Sequence, residues 1–112
     1  MNAYPDSGDE YIQSAAKLIC ELFVHSPVYR TGGDEFVVIL SDADYLNRSA
    51  IMKRLHDTSV ENIEKSGVVV SGGISDFEPG VSQSFKSVFE KADALMYEEK
   101  KLLKSMGAAT RA

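Results

Sequence analysis

Gly32, Gly33, Asp34 and Glu35 stand together inside "YRTGGDEFVVIL" (29–40), and an apolar run follows them at once. Glycine supplies the positive φ that tight turns need, and a plain hairpin is satisfied by one Asn-Gly or Asp-Gly pair. Two glycines beside two carboxylates offer more than a turn. The bare backbone lets a phosphate or a ribose approach the main chain, and the acids are hard oxygen ligands for a cation. A solvated acidic turn is the plainer reading of the same four residues, so the surrounding sequence has to decide.

Other chemistry-bearing residues are less suggestive. His25 and His56 have no partner at ligand spacing, which leaves them loop or surface roles. Asp42 and Asp44 hint at a calcium loop, but the glycine and the distal glutamate of such a loop are missing. An N-cap at Ser41 or Asp42 is the better expectation. Cys20 is the only cysteine, so no internal disulfide can form. Its place in an apolar helix predicts core packing.

The elements that must position these residues follow from periodicity. Residues 28–31 and 36–40 have strand composition, and the four residues between them fit a hairpin connection. Residues 7–24 are predicted as a helix. Ser7 and Glu10 have capping-box spacing, and Ile12, Ala15, Ala16, Ile19, Leu22 and Phe23 share one face. Ser26-Pro27 stops it. A second helix starts at Ser41 or Asp42, carries Leu46, Ala50, Ile51 and Leu55 on its face, and ends in the polar stretch after Asp57 and before Gly67. "GVVVSGGIS" (67–75) reads as a continuous apolar strand buried on both faces. Residues 76–83 are loop, and a last helix at 83–105 carries Phe85, Val88, Phe89, Ala92, Met96 and Leu103 on one face. This order predicts an α/β sandwich.

A chain of 112 residues with 44% hydrophobic and 26% charged residues suits one domain with a real core. The formal net charge of -5 argues against non-specific nucleic-acid binding and against an anionic membrane surface as partner. No apolar run reaches transmembrane length, and the start lacks a signal-peptide pattern. A cytoplasmic protein, or the cytoplasmic piece of a larger one, is therefore expected.

"RTGGDEF" (30–36) resembles the signature of the GGDEF family, the diguanylate cyclases. The context matches too. Arg30 lies two residues before the first glycine, and Gly8-Asp9 opens the preceding helix. "SGGIS" (71–75) fits a family strand ending Ser-x-Gly-Ile. Ala92, Asp93, Met96, Tyr97 and Lys100 fit the last-helix pattern in register. The resemblance runs from Gly8 to about Lys104 and implies a ferredoxin-like α+β nucleotide-cyclase fold, here without its first strand. Residues 1–112 are then expected to be the later part of a GGDEF domain, with 1–6 and 107–112 as flexible ends.

The resemblance implies a bacterial second-messenger reaction. Two GTP molecules condense to cyclic di-GMP, each 3′-hydroxyl attacking the α-phosphate of the other as pyrophosphate leaves. Mg²⁺ or Mn²⁺ would be the cofactor, a second copy of the domain the partner, and an upstream sensor domain the input. Asp34 would be the metal ligand and a proton acceptor. Glu35 would support the turn or the metal, and Gly32 and Gly33 would give the nucleotide room. Asp9 would take hydrogen bonds from the guanine edge, or else be a first-turn acid facing the helix dipole. Lys100, with Lys104 standing in for a family arginine, would hold the terminal phosphates, or else form a solvated basic helix end.

Several family features are not found. The first strand, with its metal-binding aspartate, has no match. Tyr4-Pro5 stands where Gly-His is usual, and Leu103-Lys104-Ser105 where Gly-Arg-Asn is usual. Phe23 and Ser26 occupy the positions of the family's inhibitory product site, Arg-x-x-Asp. Residues 1–112 alone are therefore expected to be inactive. A non-catalytic module that binds GTP or a protein partner is the alternative.

Overall fold

The structure, a computed structural model, describes residues 7–78, 80 and 84–108. The expected flexible end at 1–6, part of the loop before the last helix, and residues 109–112 lie outside the described residues. So do the side chains of Ser7 and Asp9, and with them the expected capping box at Ser7. The element order is α1 (Ser7–Leu22), β1 (Val28–Gly32), β2 (Glu35–Val38), α2 (Asp42–Leu46), α3 (Arg48–Lys65) and α4 (Phe85–Ser105). The chain forms two compact units, Met1–Val69 and Val70–Ala112.

In the first unit α1 packs against α3. Ala15, Ile19 and Leu22 of α1, Phe23 just after it, Ile51 and Leu55 of α3, and Val69 are buried. The i, i+4 row of α3 continues from Leu55 to Ser59, which is fully enclosed. Burying a Leu or Phe side chain contributes about 1.5–3 kcal/mol, so this small cluster is the main source of the unit's stability. The exposed i, i+4 pairs Lys53–Asp57 and Lys65–Glu61, both at 2.6 Å, add little beside it.

Three helix expectations need correction. Cys20 is exposed, because it sits one residue past Ile19 and the helical step turns it off the packed face. The predicted second helix is two helices that break at Asn47, and the later one runs on to Lys65. Leu46, at the end of the short α2, is 79% exposed, and Ala50 is exposed as well. Helix α3 ends where Ser66 turns left-handed, at φ 57°, and the Gly67 amide returns to the Asn62 carbonyl at 2.9 Å.

The expected central strand at 67–75 is not a strand. The sheet has two strands, β1 and β2, and among the described residues none from 67 to 78 pairs in a ladder. Backbone groups taken from water still need partners, and near Val69 side chains supply them. The Tyr11 hydroxyl donates to the Val69 carbonyl at 2.9 Å and accepts from the Val69 amide at 2.8 Å. Asn62 Nδ2 donates to the Val68 carbonyl at 2.8 Å. Most of this stretch is half-buried, with Val69 alone fully so, against the expectation of burial on both faces.

In the second unit Gly73 lies against α4. A Cβ there would run into the Ala92 carbonyl and the Met96 amide. Ser75 Oγ donates to the Val88 carbonyl at 2.5 Å. Helix α4 starts at a reciprocal capping box between Ser84 and Ser87. Leu103 of its predicted apolar face is buried, whereas Phe85 is 64% exposed. At its end the Gly107 and Ala108 amides bond to the Lys104 and Leu103 carbonyls, both at 3.0 Å, with Gly107 at φ 108°. A Schellman-type cap thus closes the helix through Ala108.

Candidate functional site

The hairpin is antiparallel, with Val28 opposite Val38, Tyr29 opposite Val37, Arg30 opposite Phe36 and Gly32 opposite Glu35. The register shifts between Arg30 and Gly32, so Thr31 is the extra residue of a bulge. The expected four-residue connection is thereby shortened to Gly33 and Asp34. Gly32 is at φ 146° and Gly33 at φ 51°. A Cβ on either would meet nothing within 4 Å. Glycine is needed here for its backbone angles rather than for lack of space.

Two local bonds shape the tip. Arg30 Nε donates to the Gly33 carbonyl at 2.7 Å. The Thr31 hydroxyl donates to Glu35 Oε1 at 2.9 Å. The first braces the turn; the second holds the Glu35 carboxylate alongside β1. Asp34 is exposed at the apex. The tip thus presents an open backbone, one carboxylate at the apex and a second one fixed beside it. Such an edge can accept a ribose or phosphate against the main chain.

The other expected site residues are distributed along the chain. Asp9 is in the first turn of α1. Lys100, half-buried, and Lys104, exposed, lie one turn apart on α4 in the second unit. Between them Lys101 pairs with Glu98 at 3.1 Å and lies over the Tyr97 ring. Among the described residues no three His, Cys, Asp or Glu side chains stand close enough to hold a metal ion. The donor set at the tip is therefore incomplete for a divalent ion, which needs about six oxygen ligands including water.

Residues 5–105 match the family described as "Diguanylate cyclase, GGDEF domain". The chain belongs to the GGDEF family. It is 29% identical over 100 residues to a protein named "Diguanylate cyclase A" from Treponema denticola. That alignment covers 84% of this chain and 27% of the relative, so the chain spans about a quarter of that protein's length. No solved structure matches the chain. The mixture of helices with a small two-stranded sheet is compatible with a GGDEF α+β fold. No helix of the described residues is long and apolar enough to cross a membrane.

One residue of the GGDEF neighbourhood has a role that the sequence did not reveal. Asp44 is 3% exposed, and its carboxylate accepts from the His25 amide at 2.8 Å and from the Ser26 hydroxyl at 2.7 Å. It stands in the first turn of α2, yet its carboxylate turns to the chain that enters β1. Ser41 stands at the N-cap of α2 without a side-chain capping bond. Nothing in the local pattern "SDADYL" separates the acid that turns inward from the one that stays out. The pairing with Ser26 spans 18 residues and emerges only in the fold.

Proposed function

We propose that this chain is the part of a diguanylate cyclase domain that presents the signature hairpin to GTP, in a reaction that joins two GTP molecules into cyclic di-GMP. The observation that carries this reading is the hairpin tip: Gly32 and Gly33 at positive φ, the turn braced by Arg30, and Asp34 at the apex. Gly32 and Gly33 leave the backbone bare for the nucleotide. Asp34 accepts the proton from a ribose hydroxyl and contributes one carboxylate to a divalent-ion site; the remaining ligands are not among the described residues. Glu35, held by Thr31, keeps the apex in shape. Lys100 and Lys104 bind the terminal phosphates, and Asp9 takes the guanine edge. A second copy of the domain supplies the other GTP. With one carboxylate at the apex and, among the described residues, no group of three metal-binding side chains, residues 1–112 alone bind weakly and do not turn over.

The second reading is a non-catalytic GGDEF module that binds GTP or a protein. The hold of Thr31 on Glu35 favours it, since that carboxylate is already engaged.

Titration of the 112-residue chain with GTP and Mn²⁺, followed by amide NMR, tests the shared part of both readings. Broadening strongest at residues 30–36 and lost in Asp34→Ala is expected. Broadening spread over unrelated acids, and unchanged by Asp34→Ala, would contradict it.

A further inference from the structure

The signature hairpin has a base as well as a tip. The chain enters β1 through His25–Pro27 and leaves β2 through Ile39–Ser41. At this base Ser26 Oγ donates to Asp44 at 2.7 Å and accepts from the Ser41 amide at 3.2 Å. The His25 amide also donates to Asp44, at 2.8 Å, and the Ile39 amide donates to the Pro27 carbonyl at 3.2 Å. The incoming and outgoing chains therefore hang from the same two side chains, Asp44 and Ser26. An acid 3% exposed is costly unless it recovers strong hydrogen bonds, and Asp44 recovers them here.

We infer that Asp44 is a positioning residue for the GGDEF tip, acting through Ser26. A two-stranded hairpin is marginal by itself, and β1, exposed along most of its length, has no buried face to specify its register. A slip of one residue would turn every β1 side chain to the other face and move Arg30 away from Gly33. By fixing where β1 starts and where the chain after β2 departs, the Asp44–Ser26 pair sets the register and so the aim of Asp34. The importance of that aim rests on the reading of the tip as the nucleotide end; the latch itself does not.

The test is amide hydrogen exchange and NMR on the 112-residue chain carrying Ser26→Ala, Ser26→Thr or Asp44→Asn. Ser26→Ala and Asp44→Asn are expected to speed exchange at Ile39 by about tenfold or more relative to Leu55 in α3, and to shift Gly33 and Asp34. Ser26→Thr, which restores the hydroxyl, should return both to wild-type values. If Ile39 and Leu55 accelerate together, or the tip resonances stay in place, the latch is refuted. Should Asp44→Asn fail to fold, the Ser26→Ala and Ser26→Thr pair decides. GTP added to the wild-type chain separates the two ideas: an unresponsive tip would count against the nucleotide reading, while the exchange data would still decide the latch.

Discussion

Arg30 Nε donates to the carbonyl of Gly33 at 2.7 Å, across the tip of the signature hairpin. The arginine before the glycines thus acts as the turn's own brace. Arg30→Ala should shift the amide resonances of residues 31–35. It should lower global stability by less than about 1.5 kcal/mol, since the bond is exposed and single. Urea denaturation with NMR of the tip measures both. Unmoved tip resonances would show that the brace is dispensable.

The glycines make a sharper comparison. Gly33→Ala meets open space and has only its φ of 51° to contend with, so about 1 kcal/mol is expected. Gly33→Asn should cost less, because Asn tolerates that region. Gly73→Ala drives a Cβ into the backbone of α4, which cannot step aside as a flexible side chain can. It should cost about 3 kcal/mol or more, as overpacking against a fixed wall does. Chemical denaturation of the three variants tests the order; a Gly73→Ala variant as stable as Gly33→Asn would contradict it.

Much of this was legible in the sequence. The helix α1 face, the hairpin and the extent of α4 follow from apolar period and turn chemistry, both of which act over a few residues. The segment at 67–75 was misread because composition reports an apolar extended chain but not its hydrogen-bond partners. Those came from Tyr11 and Asn62, on two helices. Leu46 was misread because its helix ends at that residue, before the face could reach the core. At the site, the tip was readable from four adjacent residues. The role of Asp44 was not, because its partner Ser26 is distant in the chain.

Regulation gives a third prediction. The two positions that would bear the charged fork of an inhibitory product site are otherwise used. Phe23 is 6% exposed in the core, and the Ser26 hydroxyl is engaged by Asp44 and Ser41. A cyclic dinucleotide would find no guanidinium to grip there. Calorimetric titration with cyclic di-GMP should show no tight saturable site. Tight binding abolished by a substitution at Ser26 would overturn this.

The central claim is that the tip at Asp34 serves cyclic di-GMP synthesis but needs an acid from elsewhere in the domain. Positioning supplies much of the rate in transfers at phosphorus, and one carboxylate does not position a cation-bound phosphate. The direct measurement is cyclic di-GMP formation from GTP and Mg²⁺. It compares residues 1–112 alone with the same residues preceded by a first strand and helix bearing the family's aspartate. The account predicts no product from the 112-residue chain, product from the longer one, and its loss in the longer one on Asp34→Ala. Robust synthesis by the 112-residue chain, or a longer chain indifferent to Asp34→Ala, would contradict it.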